Sequence, residues 1–395
     1  MPNVVLDPIN EFVETITAKG ELLADTPGYR VWIDDQGNRY ICGTDNKFHM
    51  IFIKLTGFTM KWGETREDDP AYNPFGPEIA DIELTKRCAG IRDASGVPRV
   101  CSFCYKCNNA TNTEYMSLDT FKHVFELIDK PKTLTQIAFG TDASLSEEAN
   151  PDYWKIFQYC KDNGVTPNVT VADVDEATAE RMADTFGACA VSYYPMVDKN
   201  RCYDSVSRIH KAARRKGRLM AINIHALVAE ETYDELMNLI EDSKTDSRLK
   251  GLNAIVFLSL KQKGRGANFN RISDDKFTQL ISACFDNGIR FGMDSCTAPK
   301  FLEAIKDRPD YEQMRTYIEP CESLMYSSYI DCNATFYPCS FMEKEGDWAT
   351  GIDLRNCTDF VKDVWYADKS NNWRKAALCR MDCNHGCNTC PYYNV

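Results

Sequence analysis

The chain reads as an α/β protein built on a parallel sheet with helices outside, and three observations predict this. Short apolar runs alternate with amphipathic stretches from about residue 79 to residue 306, a glycine ends most of the helical stretches, and the next apolar run begins shortly after it. The strand-like runs are 79–85, 136–139, 168–171, 190–194, 220–225, 254–259 and 289–293, and the punctuating glycines are Gly164, Gly187, Gly217, Gly251 and Gly288. The first helix is the clearest. Phe121, Val124, Phe125 and Ile128 form an i, i+3, i+4, i+7 stripe behind Ser117, a good N-cap, and Asn150-Pro151 opens the next helix. A full eight-unit barrel would need one more turn of the pattern.

Residues 1–78 form a prelude. Two β-rich runs flank Asp35-Gln36-Gly37-Asn38, a hairpin signal, and 49–55 adds a third strand. Residues 64–77 are polar and proline-rich, which reads as a linker. A substrate-handling subdomain and a plug for one end of the sheet both fit this prelude.

With 395 residues, 44% of them hydrophobic, the chain can bury one large core and a smaller appendage. No apolar stretch approaches a membrane span, and the first residues lack the basic and apolar segments of a secretory signal, so the expected location is the cytoplasm. Eighteen cysteines there point to metal and away from disulfides. A net charge of −12 argues against nucleic acid as a partner, and the basic run 211–218 reads as a solvated helix end.

Four cysteines crowd the segment that follows the first strand: Cys88, Cys101, Cys104 and Cys107. The first sits at a strand's C-terminal end, where α/β barrels carry their chemistry. A zinc site using Cys101, Cys104 and Cys107, or a set of unrelated core thiols, are the plain alternatives. The spacing C-x12-C-x2-C, with Leu84-Thr85 ahead and Tyr105 behind, resembles the cluster loop of radical S-adenosylmethionine enzymes, whose usual spacing is C-x3-C-x2-C. The resemblance implies a partial (β/α)6 barrel. It also implies that Cys88, Cys101 and Cys104 hold three irons of a site-differentiated [4Fe–4S] cluster, with Cys107 the alternative third ligand. The fourth iron would chelate S-adenosylmethionine, whose reductive cleavage gives a 5′-deoxyadenosyl radical. An electron donor such as flavodoxin or ferredoxin would be the partner.

The same resemblance places cofactor contacts at Phe103 and Tyr105 and at the strand ends. Gly140-Thr141-Asp142 stands where the family has Gly-Gly-Glu, so Gly140 and Asp142 would hold the methionine ammonium. Asn168, Thr170, Ser192 and Asn223 would read the carboxylate and ribose, though each also suits a satisfied polar group inside a barrel. Gly264-Arg265-Gly266 resembles the segment that lets backbone approach the adenine, and His225 reads as a packed or rim histidine.

The last part of the chain holds the second concentration of thiols. Cys321, Cys332, Cys339, Cys379, Cys383, Cys387 and Cys390 resemble a SPASM/twitch extension, with Ala334 in place of a glycine and a closing pattern of C-x3-C-x3-C-x2-C. This implies one or two auxiliary [4Fe–4S] clusters. Cys296 is well placed as a further ligand, Cys332 and Cys357 are left open, and a zinc knuckle of Cys379, Cys383, Cys387 and Cys390 is the alternative. The expected divisions are 1–78, 79–306 and 307–395. Among relatives with such an extension the common theme is modification of a peptide or protein side chain. The competing readings are radical chemistry on a small metabolite and a non-catalytic iron–sulfur or zinc protein.

Overall fold

The computed structural model describes residues 8–319, 321–381 and 390–393. Helix α1 (Pro8–Lys19) packs on an antiparallel meander of five strands: β1 (Glu21–Asp25), β2 (Tyr29–Ile33), β3 (Arg39–Gly43), β4 (His49–Ile53) and β5 (Phe58–Trp62). The β2–β3 hairpin turns where the sequence predicts. Asp34 Oδ1 accepts the N–H groups of Gln36 and Asn38 at 3.0 and 2.8 Å, and Gly37 takes φ +84°, a conformation open to glycine at little cost. Ile16 meets Tyr40, Ile51 and Trp62 beneath α1. Buried Arg39 fixes this unit to the rest by donating to the carbonyls of Lys132 and Gly164 at 3.1 and 3.0 Å.

The α/β region then runs β6 (Ile79–Glu83), a small hairpin of β7 (Ile91–Arg92) and β8 (Pro98–Arg99), α2 (Leu118–Ile128), β9 (Gln136–Gly140), α3 (Tyr153–Asp162), β10 (Thr166–Val171), α4 (Glu176–Thr185), β11 (Ala188–Ser192), α5 (Pro195–Arg215) and β12 (Ala221–Val228). It continues through α6 (Tyr233–Thr245), β13 (Ala254–Ser259), α7 (Asp274–Asp286), β14 (Phe291–Met293), α8 (Ala298–Ile305) and the short α9 (Tyr311–Arg315). Ser117 caps α2 as expected, accepting the Thr120 N–H. Helix α3 starts later than Asn150, whose side chain instead donates to the carbonyls of Leu84 and Met116 at 3.0 and 2.9 Å. Gly164, Gly217, Gly251 and Gly288 all have positive φ, but Gly187 does not. A side chain there would start 2.4 Å from Thr166 Cγ2, so this glycine serves a close approach to β10.

The six parallel strands expected from the family are exceeded. Seven follow one another in the order β14-β13-β12-β11-β10-β9-β6, and an eighth parallel strand, β15 (Ser327–Ile330), joins the free edge of β6. An edge strand left bare exposes unpaired backbone groups, and β15 satisfies them. Antiparallel β16 (Thr335–Tyr337) and β17 (Ile352–Asp353) extend the same sheet before α10 (Asp368–Met381). The segment expected as a separate third unit therefore continues the main sheet. Ala334, in the β15–β16 turn, has φ +61°, the conformation that favours the glycine it replaces. Apolar residues on the outer face, among them Ile82, Phe139, Val169, Val191, Ile224 and Phe257, form the core with the helices. No helix of the described residues is long and apolar enough to cross a membrane.

Candidate functional site

The sheet curls around a cavity of about 490 Å³ near the C-terminal ends of its parallel strands, lined from β6, β9–β13 and β15. Cys88, Cys101 and Cys104 line it, whereas Cys107 is exposed and lies outside the lining set. The long gap between Cys88 and Cys101 is taken up by the β7–β8 hairpin, in which Ile91 pairs with Arg99 and Arg92 with Pro98. Asp93 Oδ1 closes its tip by accepting the Ser95 and Val97 N–H groups. At its base Gly90 has φ +83°, and a Cβ there would lie 1.8 Å from the Arg99 carbonyl oxygen. The hairpin is pinned outside by Arg92 to Asp173 at 3.0 Å and by Arg201, which donates to the Arg92 and Asp93 carbonyls. Extra residues thus fold away, and both ends return to the site.

Arg265 holds the rest of the loop. Its backbone N–H donates to the Cys104 carbonyl at 3.0 Å, Nε to the Cys101 carbonyl at 2.7 Å, and a terminal nitrogen to the Asn108 carbonyl at 3.0 Å. Gly264 has φ +56°, and a Cβ would lie 2.4 Å from the Tyr105 carbonyl oxygen. The close approach expected toward an adenine is therefore used against the thiol loop. Burial pushes the Cys101 thiol up to about 12 and raises that of Cys88, with the nearby Cys104 adding to both. Ligation by metal reverses that preference for the neutral thiol.

Of the expected cofactor contacts, Phe103, Tyr105, Gly140, Asp142, Thr170 and Ser192 all line the cavity. The side-chain network bears on three of the expected contacts. The Asp142 carboxylate accepts from the Ser144 N–H and hydroxyl, the Ser146 N–H and the Tyr153 hydroxyl, so its acceptor positions are taken by its own loop and by the first residue of α3. Asn168 and Asn223 lie nearer the strand starts. Asn168 donates to Gln136 and accepts from the Ala188 N–H, and Asn223 accepts from Asn253. His225 does face the cavity, and burial lowers its imidazole to about 4, against a smaller opposing effect of Asp294. The sequence reading passed over Asp81, Glu83, Lys106, Lys261 and Tyr329, all on the wall. Two acids at alternate positions of a buried strand, Asp81 and Glu83, were the signal that could have found the site's carboxylates.

A second set of thiols gathers behind Lys261. The Cys296 and Cys321 thiols lie close enough to act on each other's titration, and the charge of Cys296 bears on both Cys339 and Cys390. Cys296 follows β14, Cys321 precedes β15 and Cys339 follows β16, while Tyr393 ties Cys390 to the segment just after Cys339. Its N–H donates to Cys390 Sγ at 3.2 Å and its hydroxyl to the Phe341 carbonyl at 3.1 Å. Lys261 is ion-paired with Asp294, and its positive charge helps to lower the Cys296 thiol, after the larger effect of Cys321. Cys332 lies elsewhere, beside Glu83 and Lys86, and Cys379 is exposed. Cys383 and Cys387 lie outside the described residues. Among those described, no group of three or more His, Cys, Asp or Glu stands as the ligands of a metal ion. A cluster makes a different demand, because its thiolates bind separate irons.

No family model and no curated protein matches the chain. Among solved structures it is similar to BtrN in complex with AdoMet and 2-DOIA, at 12% identity and TM-score 0.38, over 81% of this chain and 93% of that one. It is also similar to methylornithine synthase (PylB), at 13% identity and TM-score 0.42, over 80% and 85%. An HpcH/HpaI aldolase from Desulfitobacterium hafniense DCB-2 aligns at 9% identity and TM-score 0.32, over 55% and 77%. Likenesses of this size carry no argument about the chemistry, which rests on the residues.

Proposed function

We propose that the chain is a radical S-adenosylmethionine enzyme that removes a hydrogen atom from a substrate enclosed by the sheet. The observation that carries this reading is the convergence of Cys88, Cys101 and Cys104 on one cavity at the strand ends, with Cys107 left outside. Three thiols on one wall suit a cluster that keeps one iron free of protein ligands. When bound, the cluster and S-adenosylmethionine supply a 5′-deoxyadenosyl radical. The chain's own residues do the positioning. Arg265 fixes the thiol loop, Phe103 and Tyr105 provide apolar wall, and Thr170 and Ser192 offer hydroxyls at the strand ends.

Cys296, Cys321, Cys339 and Cys390 are the proposed ligands of one auxiliary [4Fe–4S] cluster that accepts or relays an electron. This replaces the choice of Cys379 with a thiol set drawn from four separate segments. A one-electron donor such as flavodoxin or ferredoxin, in the cytoplasm, completes the reading. The family resemblance supports a peptide or protein side chain as substrate, and the cavity of about 490 Å³ also favours a free small molecule.

The test is anaerobic reconstitution with iron and sulfide, followed by an assay for 5′-deoxyadenosine from S-adenosylmethionine under a strong reductant. Iron-dependent absorbance and 5′-deoxyadenosine are expected. Bound zinc without either would sink the proposal.

A further inference from the structure

Asp81 and Glu83 have no part in the chemistry described so far. They lie two residues apart on β6, so both face the cavity while Ile82 between them enters the core. Glu83 is only 4% exposed; its Oε1 meets Lys106 at 3.1 Å, but its Oε2 is buried with no hydrogen-bond partner among the described residues. Lys106 is shared, because the same ammonium is ion-paired with Glu343 and donates to the Tyr329 hydroxyl at 2.6 Å. Tyr329 is the register partner of Asp81 across β6 and β15. Its hydroxyl donates onward to Glu343 at 3.1 Å, so it offers Asp81 nothing.

The Asp81 carboxyl makes no hydrogen bond or ion pair among the described residues, and the charge that acts on it is another carboxylate, Glu322. The other cations of the wall are engaged. Lys261 pairs with Asp294, and the Arg265 guanidinium donates to backbone carbonyls. One half-buried carboxylate without counter-charge and one oxygen of a second without a hydrogen-bond donor thus stand on the cavity wall. Such groups are costly to bury unless something positive joins them.

We propose that Asp81 and Glu83 hold a protonated aliphatic amine of the substrate. This deepens the function proposed above and rests on it in taking the cavity as the substrate site. An ammonium has three N–H donors, enough to satisfy Glu83 Oε2 and the Asp81 carboxylate together.

The test uses the full-length protein, reconstituted with iron and sulfide without oxygen, and two probes of one shape, cyclohexylammonium and cyclohexanol. Binding is followed by ligand-observed magnetic resonance in wild type, Asp81→Asn and Glu83→Gln, with and without S-adenosylmethionine. The ammonium should bind about tenfold or more tighter than the alcohol, and Asp81→Asn should remove about tenfold for the ammonium alone. Glu83→Gln also disturbs Lys106, so Asp81→Asn, nearly isosteric and checked by its unfolding curve, decides. Equal binding of the probes, no ammonium binding, or unchanged affinity in Asp81→Asn overturns the proposal. Displacement of the ammonium by S-adenosylmethionine overturns it too, assigning the carboxylates to the cofactor. Ammonium binding without 5′-deoxyadenosine formation leaves the amine site and sinks the radical reading; the reverse result sinks only the amine site.

Discussion

The ring of Tyr105, next to Cys104, packs on the ring of Phe341, two residues after Cys339, with centroids 4.3 Å apart. This contact joins the two thiol sets through two residues that the sequence places more than two hundred positions apart. Lys263 reinforces it by donating to the Phe341 and Glu343 carbonyls at 2.8 and 2.5 Å. Phe341→Leu keeps an apolar side chain and loses the ring pair, at a cost of about 1 kcal/mol. Iron content should stay at the wild-type level, while product formed per 5′-deoxyadenosine falls. Unchanged coupling would leave the pair as packing only.

The thiol sets themselves are separable by iron count on protein purified without oxygen. Alanine at Cys88, Cys101 or Cys104 should abolish 5′-deoxyadenosine formation, and Cys107→Ala should retain it. Alanine at Cys296 or Cys339 should lower iron while Cys332→Ala does not. Activity in Cys88→Ala together with a dead Cys107→Ala would move the third ligand to Cys107.

Gly90 tests whether the hairpin delivers Cys88 to the site. Gly90→Ala meets the Arg99 carbonyl and forces an alanine to positive φ, so it should cost well over about 1 kcal/mol locally. The expected readout is loss of iron with a far-ultraviolet dichroism spectrum close to wild type. Full iron occupancy would show that the base of the hairpin can open without moving Cys88.

Arg265 acts through the loop it holds. Arg265→Lys keeps the charge and loses the fork that reaches two carbonyls, worth about 1.5–3 kcal/mol for a charged hydrogen bond. The cluster's paramagnetic resonance should broaden or shift, and the midpoint of thermal unfolding should fall by a few degrees. A spectrum identical to wild type would reduce Arg265 to a surface anchor.

Asp81 should destabilise the protein at neutral and alkaline pH. Burial, with Glu322 adding to it, raises its carboxyl to about 7 from an ordinary 3.8. A raised carboxyl contributes stability that is full below about pH 4 and is lost as pH rises through about 7. Asp81→Asn removes this dependence, so without ligand the variant should be the more stable at pH 8, by an amount on the order of 4 kcal/mol, with the gap closing toward pH 4. Glu78, also raised to about 7, is present in both proteins and cancels from the difference. Parallel unfolding curves for the two proteins across pH 4–8 would contradict the burial of an unpaired carboxylate.

The sequence by itself determined what depends on near neighbours along the chain. The α2 stripe and its Ser117 cap, the 34–38 hairpin and the strand–helix–glycine alternation were all legible, because periodicity, caps and turns are satisfied within a few residues. The loop of thiols was legible as a loop. Tertiary structure alone decided which thiols face the cavity, since that depends on the hairpin folding back at Gly90 and on Arg265 arriving from beyond β13. It decided that Asn168 and Asn223 fall short of the cavity, because depth in a curled sheet follows from strand register and tilt. The Asp142 carboxylate was spent on Ser144, Ser146 and Tyr153, and β15 came to lie beside β6, bringing Tyr329 next to Asp81. Those outcomes rest on contacts between distant segments, where packing and hydrogen-bond satisfaction choose among arrangements that local pattern leaves equal.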